Sequence, residues 1–170
     1  MKRIVVIILL LFPMTLYSQN LSKVQLKEVS GKRFAFKNNL KSDATIVSFW
    51  ATWCIPCRKE MDALQKIKEK FADKNIRIIT ISQDSPRSLA KVKSFVKTHH
   101  YDFTYLLDPG GETSAKLLVK SVPFTMLLDK NGKVIYSHRG YKKGDELEIE
   151  KELLKYWSKS ANKSSEEEKE

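Results

Sequence analysis

Residues 49–57 read FWATWCIPC, and residues 58–60 continue as RKE. The apolar run that leads into this stretch, residues 45–50, is rich in β-branched and aromatic side chains and predicts a buried strand. The residues after Cys57 change to helical spacing, so we expect the two cysteines where a strand ends and a helix begins. Unpaired backbone N–H groups and the helix dipole favour an anion at such a position. That anion would be a cysteine thiolate, the nucleophile of disulfide exchange.

Two residues separate Cys54 from Cys57, which lets the sulfurs bridge across one helical turn and cycle between dithiol and disulfide. Cys54 is nearer the predicted helix start and is expected to be the exposed nucleophile, with Cys57 as the resolving thiol. The alternatives are a pair of core cysteines or half of a metal site. Core cysteines would not need Pro56 between them. A tetrahedral site would need two more ligands from histidines that lie far away in the sequence, namely His99, His100 and His138.

Residues 53–57 (WCIPC) at a strand-to-helix junction, with Val122 and Pro123 far downstream, resemble the thioredoxin superfamily. The longer lead-in of residues 49–54 (FWATWC) is similar to its exported branch, the TlpA/ResA-like thiol-disulfide oxidoreductases. The similarity extends from about residue 24 to about residue 157. The resemblance implies a thioredoxin-like α/β fold, protein disulfides as substrates, and neither a cofactor nor a metal ion.

The same resemblance implies a substrate-binding surface around the cysteines. Val122 and Pro123 match the superfamily's cis-proline loop, in which the backbone of Val122 would hydrogen-bond an extended substrate strand next to Cys54. Trp53 is expected to be exposed and to shape this surface, and Pro56 fixes the turn. Trp50 is expected in the core and is assigned no role at this surface. His138 and Arg139 are expected on the surface and are also assigned no role.

Glu60 follows Cys57 by three residues and is therefore expected on the same helix face, one turn further along. One interpretation is a surface partner for a lysine. The other is a partly buried carboxylate that disfavours the nearby thiolate and handles its proton, as the matching glutamate is thought to do in ResA-like proteins. Ser48 stands where thioredoxins usually have a buried aspartate, on the strand before the motif. This departure favours the proton-handling role for Glu60.

The rest of the chain predicts the other elements of the fold. A hairpin of residues 24–29 and 33–36 comes first. Further strands are predicted at residues 76–82, 103–107, 124–128 and 134–137. Helices are predicted from the cysteine motif to near residue 73, from residue 85 onward, and at residues 112–119 and 147–157. Strand-helix-strand units imply parallel strands, whereas a closing hairpin with an Asn-Gly turn adds antiparallel ones. We therefore predict a mixed central sheet flanked by helices, with an N-terminal β-hairpin.

Lys2 and Arg3 precede an apolar run over residues 4–12, which Pro13 and a short polar segment end. This pattern predicts a cleaved signal peptide over residues 1–19 and a periplasmic protein. The alternative is an N-terminal membrane anchor with the domain outside the cytoplasm, but a spanning helix needs about 20 apolar residues. The thioredoxin-like domain would cover residues 20–157. Residues 158–170 are charged and nearly free of apolar side chains, so they are expected to form a disordered tail.

The composition limits the possible functions. With 170 residues and 42 % hydrophobic content, the chain suits one domain with a substantial core. Both of its cysteines lie in the motif, which leaves none for a structural disulfide. The formal charge of +11 suits a solvated surface, and the chain lacks a basic motif for nucleic acid. We expect a monomer that does not bind nucleic acid.

These observations predict an extracytoplasmic thiol-disulfide oxidoreductase that reduces disulfides in exported proteins and is recharged by a membrane electron donor. Apocytochrome c thiols are one substrate class that the resemblance suggests. The uncharged residues between the cysteines, without a histidine, favour a reductant over the alternative of a disulfide-forming oxidase. A second alternative is a thioredoxin-like copper chaperone, although such proteins carry a wider Cys-x-x-x-Cys spacing and a ligating histidine. A peroxiredoxin is disfavoured because its peroxidatic cysteine is not set in a Trp-Cys-x-x-Cys motif.

Overall fold

The central sheet has seven strands in the order β2-β1-β5-β4-β3-β6-β7. The computed structural model describes residues 20–167, with the side chains up to residue 161. The strands are β1 (Gln25–Glu28), β2 (Arg33–Ala35), β3 (Ala44–Trp50), β4 (Ile76–Ser82), β5 (Thr104–Leu107), β6 (Phe124–Leu128) and β7 (Val134–Arg139). The helices are α1 (Ile55–Lys70), α2 (Leu89–Thr98), α3 (Glu112–Lys116) and α4 (Asp145–Glu167).

The directions of the strands follow from how they are connected. β3, β4 and β5 run parallel because helix-containing segments join them. β6 and β7 form a hairpin that runs antiparallel to the centre, and β1 and β2 form another at the opposite edge. The mixed sheet and the N-terminal hairpin confirm the architecture predicted from the sequence.

Every side chain of the central strand β3 is buried, because its residues alternate between two hydrophobic cores. On one face, Ile46 packs with residues of α1 and α4, among them Leu64 and Leu153. On the other face, Val47 and Phe49 pack with the N-terminal segment and the residues that follow α3. Helices therefore flank the sheet on both sides, and the carboxyl end of β3 leads into the cysteine motif.

Some element boundaries differ from the prediction. The helix expected from residue 85 begins as a 3₁₀ turn, Pro86–Ser88, before α2 starts at Leu89. α1 ends at Lys70 rather than near residue 73. α3 ends at Lys116 rather than at residue 119, and Leu118 then adopts a left-handed conformation with a φ of 55°.

The largest difference concerns α4, which does not stop at Trp157 but continues to Glu167. A disordered tail is predicted over residues 158–170 because Ala161 is the one apolar residue there. Apolar residues decide whether a helix is buried, but an exposed helix that has already started can continue without them. Residues 158–167 contain no glycine or proline that would end α4. Residues 168–170 and the predicted signal peptide over residues 1–19 lie outside the described part of the chain. Within residues 20–167, none of the helices is both long enough and apolar enough to cross a membrane.

Candidate active site

The two cysteines form a disulfide at the start of α1, with their Cα atoms 5.3 Å apart. Cys54 is the N-cap of the helix, and its Sγ accepts a hydrogen bond from the backbone N–H of Cys57 at 3.2 Å. Pro56 lies in the first helical turn, where proline's missing N–H has no cost. Because the helix start also favours negative charge, this position stabilises a thiolate when the disulfide opens.

The accessibility of the disulfide differs from the expectation. Cys57 is fully buried as predicted, but Cys54 is only 4 % exposed rather than open to solvent. The exposed rim is formed by neighbouring side chains: Trp53 is 71 % and Ile55 59 % exposed, and Pro56 is exposed as well. In the oxidised form, packing of Cys54 against the adjacent core covers most of its surface. Trp50 is fully buried in that core, as predicted.

Val122 and Pro123 lie beside the cysteine motif, joined by a cis peptide bond as the resemblance implied. They immediately precede β6, which pairs with β3 through Phe49 and Phe124. Val122 is half-buried and packs against the hydrophobic cluster that contains both cysteines. The strand pairing therefore brings together two segments that are far apart in the sequence.

Glu60 is fully buried on the inner face of α1, which excludes the interpretation as a surface partner for a lysine. The hydroxyl of Ser48 donates to its Oε2 at 2.6 Å, and the hydroxyl of Thr125 donates to its Oε1 at 2.8 Å. Ser48 and Thr125 are register partners on β3 and β6. Each carboxyl oxygen is thus held against the sheet by one hydroxyl.

Burial raises the pKa of Glu60 from 4.5 to about 7, because the ionised carboxylate loses its hydration. The hydrogen bonds from Ser48 and Thr125 act in the opposite direction by stabilising the charged form. The negative charge of Asp145 at the start of α4 adds to the rise. Glu60 can therefore gain and release a proton near neutral pH, one helical turn from Cys57.

His138 is not the plain surface residue that was expected from the sequence. Its Nε2 lies 3.0 Å from Oδ2 of Asp145, and both side chains are largely covered. Alternation along β7 points His138 inward, next to Thr125, its register partner on β6. The histidine and Asp145 consequently belong to the surroundings of Glu60, whereas Arg139 is exposed as predicted.

Asp84 was missed by the sequence analysis, although it follows a buried strand. Its Oδ2 accepts a hydrogen bond from the backbone N–H of Thr52 at 2.8 Å, and its Oδ1 accepts one from the Thr52 hydroxyl at 2.6 Å. The hydroxyl of Ser82 donates to the same carboxylate at 2.9 Å. Asp84 thus fastens the loop before Cys54 to the end of β4. The available signal was an acidic residue at the carboxyl end of a predicted parallel strand.

The sequence profile of the Redoxin family matches residues 15–153. Thiol-disulfide oxidoreductase ResA from Bacillus thuringiensis subsp. konkukian (strain 97-27) is 34 % identical over 121 residues, which cover 71 % of this chain and 68 % of the relative. Thioredoxin-like protein YneN from Bacillus subtilis (strain 168) is 33 % identical over 128 residues, covering 75 % of this chain and 74 % of the relative.

Solved structures agree with this relationship. The solution structure of a thioredoxin-like protein from Porphyromonas gingivalis superposes with a TM-score of 0.68 at 32 % identity and covers 80 % of this chain and 90 % of that chain. The cysteine pair lies at the strand-to-helix junction in this chain, with its sulfurs bridged. The chain therefore belongs to the Redoxin family and is a ResA-like thiol-disulfide oxidoreductase of the thioredoxin superfamily.

Proposed function

We propose that the protein reduces disulfides in exported proteins. The observation that supports this direction is the burial of Glu60 one turn from the cysteines, with hydroxyl groups as its hydrogen-bond partners and no lysine or arginine bonded to it among residues 20–161. An ionised carboxylate in this position disfavours a thiolate nearby and so destabilises the reduced pair. A pair that is less stable when reduced gives up its electrons more readily.

Cys54 is the proposed nucleophile and Cys57 the resolving thiol. The Cys54 thiolate attacks one sulfur of the substrate disulfide, and the other substrate sulfur leaves as a thiolate that takes a proton from solvent. Glu60 then accepts the proton of Cys57, whose sulfur attacks Cys54 and releases the second substrate sulfur. The substrate gains two electrons, and the protein is left with its own disulfide. A membrane electron donor would return the pair to the dithiol form.

The substrate would bind across the rim around the disulfide. Trp53 and Pro56 offer exposed apolar surface next to Cys54, the half-buried Val122 packs against the cluster that contains both cysteines, and Pro123, which follows it through the cis peptide bond, is buried. Apolar surface of this kind suits an extended segment of another protein, whose backbone could bond to Val122. We propose these four residues as the substrate-binding surface.

The proposed substrates are proteins outside the cytoplasm, and apocytochrome c thiols are one candidate class. This location rests on the predicted signal peptide over residues 1–19, whose removal would release the protein into a periplasm. We also propose that the protein acts as a monomer. The mature chain should begin near Gln19 or Asn20, which intact-mass analysis of the purified protein would measure. Residues 1–18 retained in a membrane fraction would instead support the anchored alternative.

A substrate-trapping experiment tests the nucleophile. Cys57→Ser should accumulate mixed disulfides through Cys54, because attack remains possible while resolution does not. Cys54→Ser is the matched control and should trap little. Non-reducing electrophoresis followed by mass spectrometry of an extracytoplasmic extract would identify the adducts. Adducts on Cys54→Ser alone would show that the two roles are reversed.

Measurement of the redox potential of the Cys54–Cys57 pair tests whether the protein reduces or forms disulfides. Equilibration with glutathione or dithiothreitol buffers should give a potential near that of thioredoxin, about −270 mV, rather than near that of a strong oxidant, about −120 mV. A value at the oxidising end of this range would favour the disulfide-forming oxidase.

A further inference from the structure

A basic groove of about 1160 Å³ opens between β1 and α3. Its lining includes four cationic side chains that form no ion pair within residues 20–161, namely Lys23, Lys27, Arg33 and Lys116. Two carboxylates also line it. Asp108 is buried and accepts hydrogen bonds from the first turn of α3, so Glu112 is the exposed acidic side chain of the groove. Positive charge therefore exceeds negative charge along this surface.

Lys27 and Arg33 are direct register partners on β1 and β2, and both are exposed. The backbone N–H of Glu28 donates to the C=O of Lys32, so these two residues form a hydrogen-bonded pair. Because the two kinds of pair alternate along an antiparallel ladder, Lys27 and Arg33 form a non-hydrogen-bonded pair, in which side chains approach closely. Like charges directly opposite each other destabilise a sheet. An anionic ligand in the groove would relieve this repulsion.

The backbone of β1 is also open on the side of the groove. β1 pairs with β5 through Lys27 and Glu28, because β5 ends at Leu107 and the chain then turns at Pro109. The backbone hydrogen bond from Val29 to Tyr105 fixes which residues of β1 face β5. By alternation, the N–H and C=O of Gln25 face the groove beyond the end of β5, where they can bond to an extended peptide.

The groove and the disulfide lie at the same end of the sheet, where the parallel strands terminate. β5 and β3 run in the same direction and both end there, and β3 leads toward Cys54. β1 is three strands away from β3 in the sheet order, which corresponds to about 14 Å at the usual strand spacing. Four or five extended residues, at about 3.3 Å each, would span that distance.

We propose that this groove binds an extended acidic segment of the protein whose disulfide reacts with Cys54. Carboxylates of the segment pair with Lys27, Arg33 and their cationic neighbours, and its backbone bonds to Gln25. The inference rests on the proposed reductase function, because it names the kind of substrate that the enzyme prefers.

Binding is tested with the oxidised, full-length protein and a cysteine-free fluorescent peptide that alternates glutamate and threonine. The acidic peptide should bind at least about fivefold more tightly than its glutamine counterpart at low salt, and 0.5 M salt should remove the difference. Lys27→Glu should weaken binding by a similar factor. It also creates an attractive pair with Arg33, so its melting temperature should not fall.

Lys91→Glu is the matched control, because Lys91 is exposed on α2 and does not line the groove. It changes the net charge equally and should weaken binding much less. Equal affinity for the two peptides, or equal losses in the two variants, would overturn the proposal.

Kinetics connect the groove to the reaction. The acidic segment is joined through a five-residue spacer to a cysteine that carries a small chromogenic thiol as a mixed disulfide. Reduced protein should show about a fivefold lower KM for this substrate than for its glutamine counterpart, and Lys27→Glu should remove the advantage without changing kcat. An unconnected small disulfide should react equally with both proteins. Peptide binding without reduction of any disulfide would contradict the reductase function but support the groove as a binding site. Reduction of disulfides without selectivity for the acidic peptide would support the reductase function but contradict the proposal for the groove.

Discussion

Glu60 is the residue whose chemistry depends most on its surroundings. Loss of hydration favours its neutral form, while hydroxyl groups on β3 and β6 favour its charged form. The pKa of about 7 means that burial outweighs the two hydrogen bonds. A carboxyl group in this balance can gain or release a proton near neutral pH, as the proposed role requires.

Replacing Glu60 with Gln should change the titration of the cysteines. The substitution keeps the size and hydrogen-bonding capacity but removes the negative charge, so the pKa values of the nearby thiols should fall. Alkylation of the reduced protein, followed against pH, should show a lower midpoint, and reductase turnover should decrease because the proton acceptor is lost. An unchanged midpoint together with unchanged turnover would remove Glu60 from the active site.

Glu60 should also make the stability of the oxidised protein depend on pH. Its pKa is raised on folding, so the folded state binds more protons than the unfolded state between about pH 4.5 and pH 7. This contribution is fully present below pH 4.5 and is lost as the pH rises through 7, by roughly 3 kcal/mol in total. Urea unfolding of Glu60→Gln should lack this decline, while Glu69→Gln on the exposed side of α1 should retain it.

At the scale of the elements, the sequence predicted strands and helices whose formation depends on residues close together in the chain. The strand over residues 76–82 and the strand over residues 124–128 were predicted with their observed ends, because each is a short apolar run with clear boundaries. Contacts between distant segments were harder to foresee. Thr125 lies 65 residues after Glu60, and its role follows only from the pairing of β6 with β3. The inward position of His138 likewise depends on the register of β7.

The extension of α4 beyond Trp157 should contribute little to stability. Residues 158–161 are exposed, so they bury no surface on the core. A chain that ends at Trp157 should lose less than about 1 kcal/mol of unfolding free energy, as measured by urea denaturation. Leu153→Ala is the comparison within the same helix, because Leu153 is fully buried and its truncation should cost about 2–5 kcal/mol. A large loss in the shortened chain would show that the extension packs against the domain.

At the scale of the whole molecule, the reactive groups lie at one end of the sheet, where the parallel strands terminate. β3 and β4 end there and are followed by Cys54 and Asp84, and β6 starts there after Pro123. The two cores that contain β3 residues of opposite faces include neither cysteine, because both cysteines belong to a separate cluster. The scaffold should consequently persist through the redox cycle.

Reduction should therefore lower the stability of the fold without unfolding it. A crosslink between cysteines with a sequence separation of 3 closes a very short loop, which corresponds to about 2 kcal/mol of unfolding free energy. Urea unfolding with and without dithiothreitol measures the difference. The double variant Cys54→Ser/Cys57→Ser should match the reduced protein, and loss of cooperative unfolding on reduction would contradict this expectation.

Having two cysteines, both in the motif, also limits which wrong disulfides the chain can form. A chain with two cysteines has one possible internal disulfide, so it has no scrambled isomers to sort during oxidative folding. Any wrong bridge must join the protein to a second molecule. A wrong disulfide between two copies of the chain therefore doubles the mass, and size separates such products from the competent enzyme.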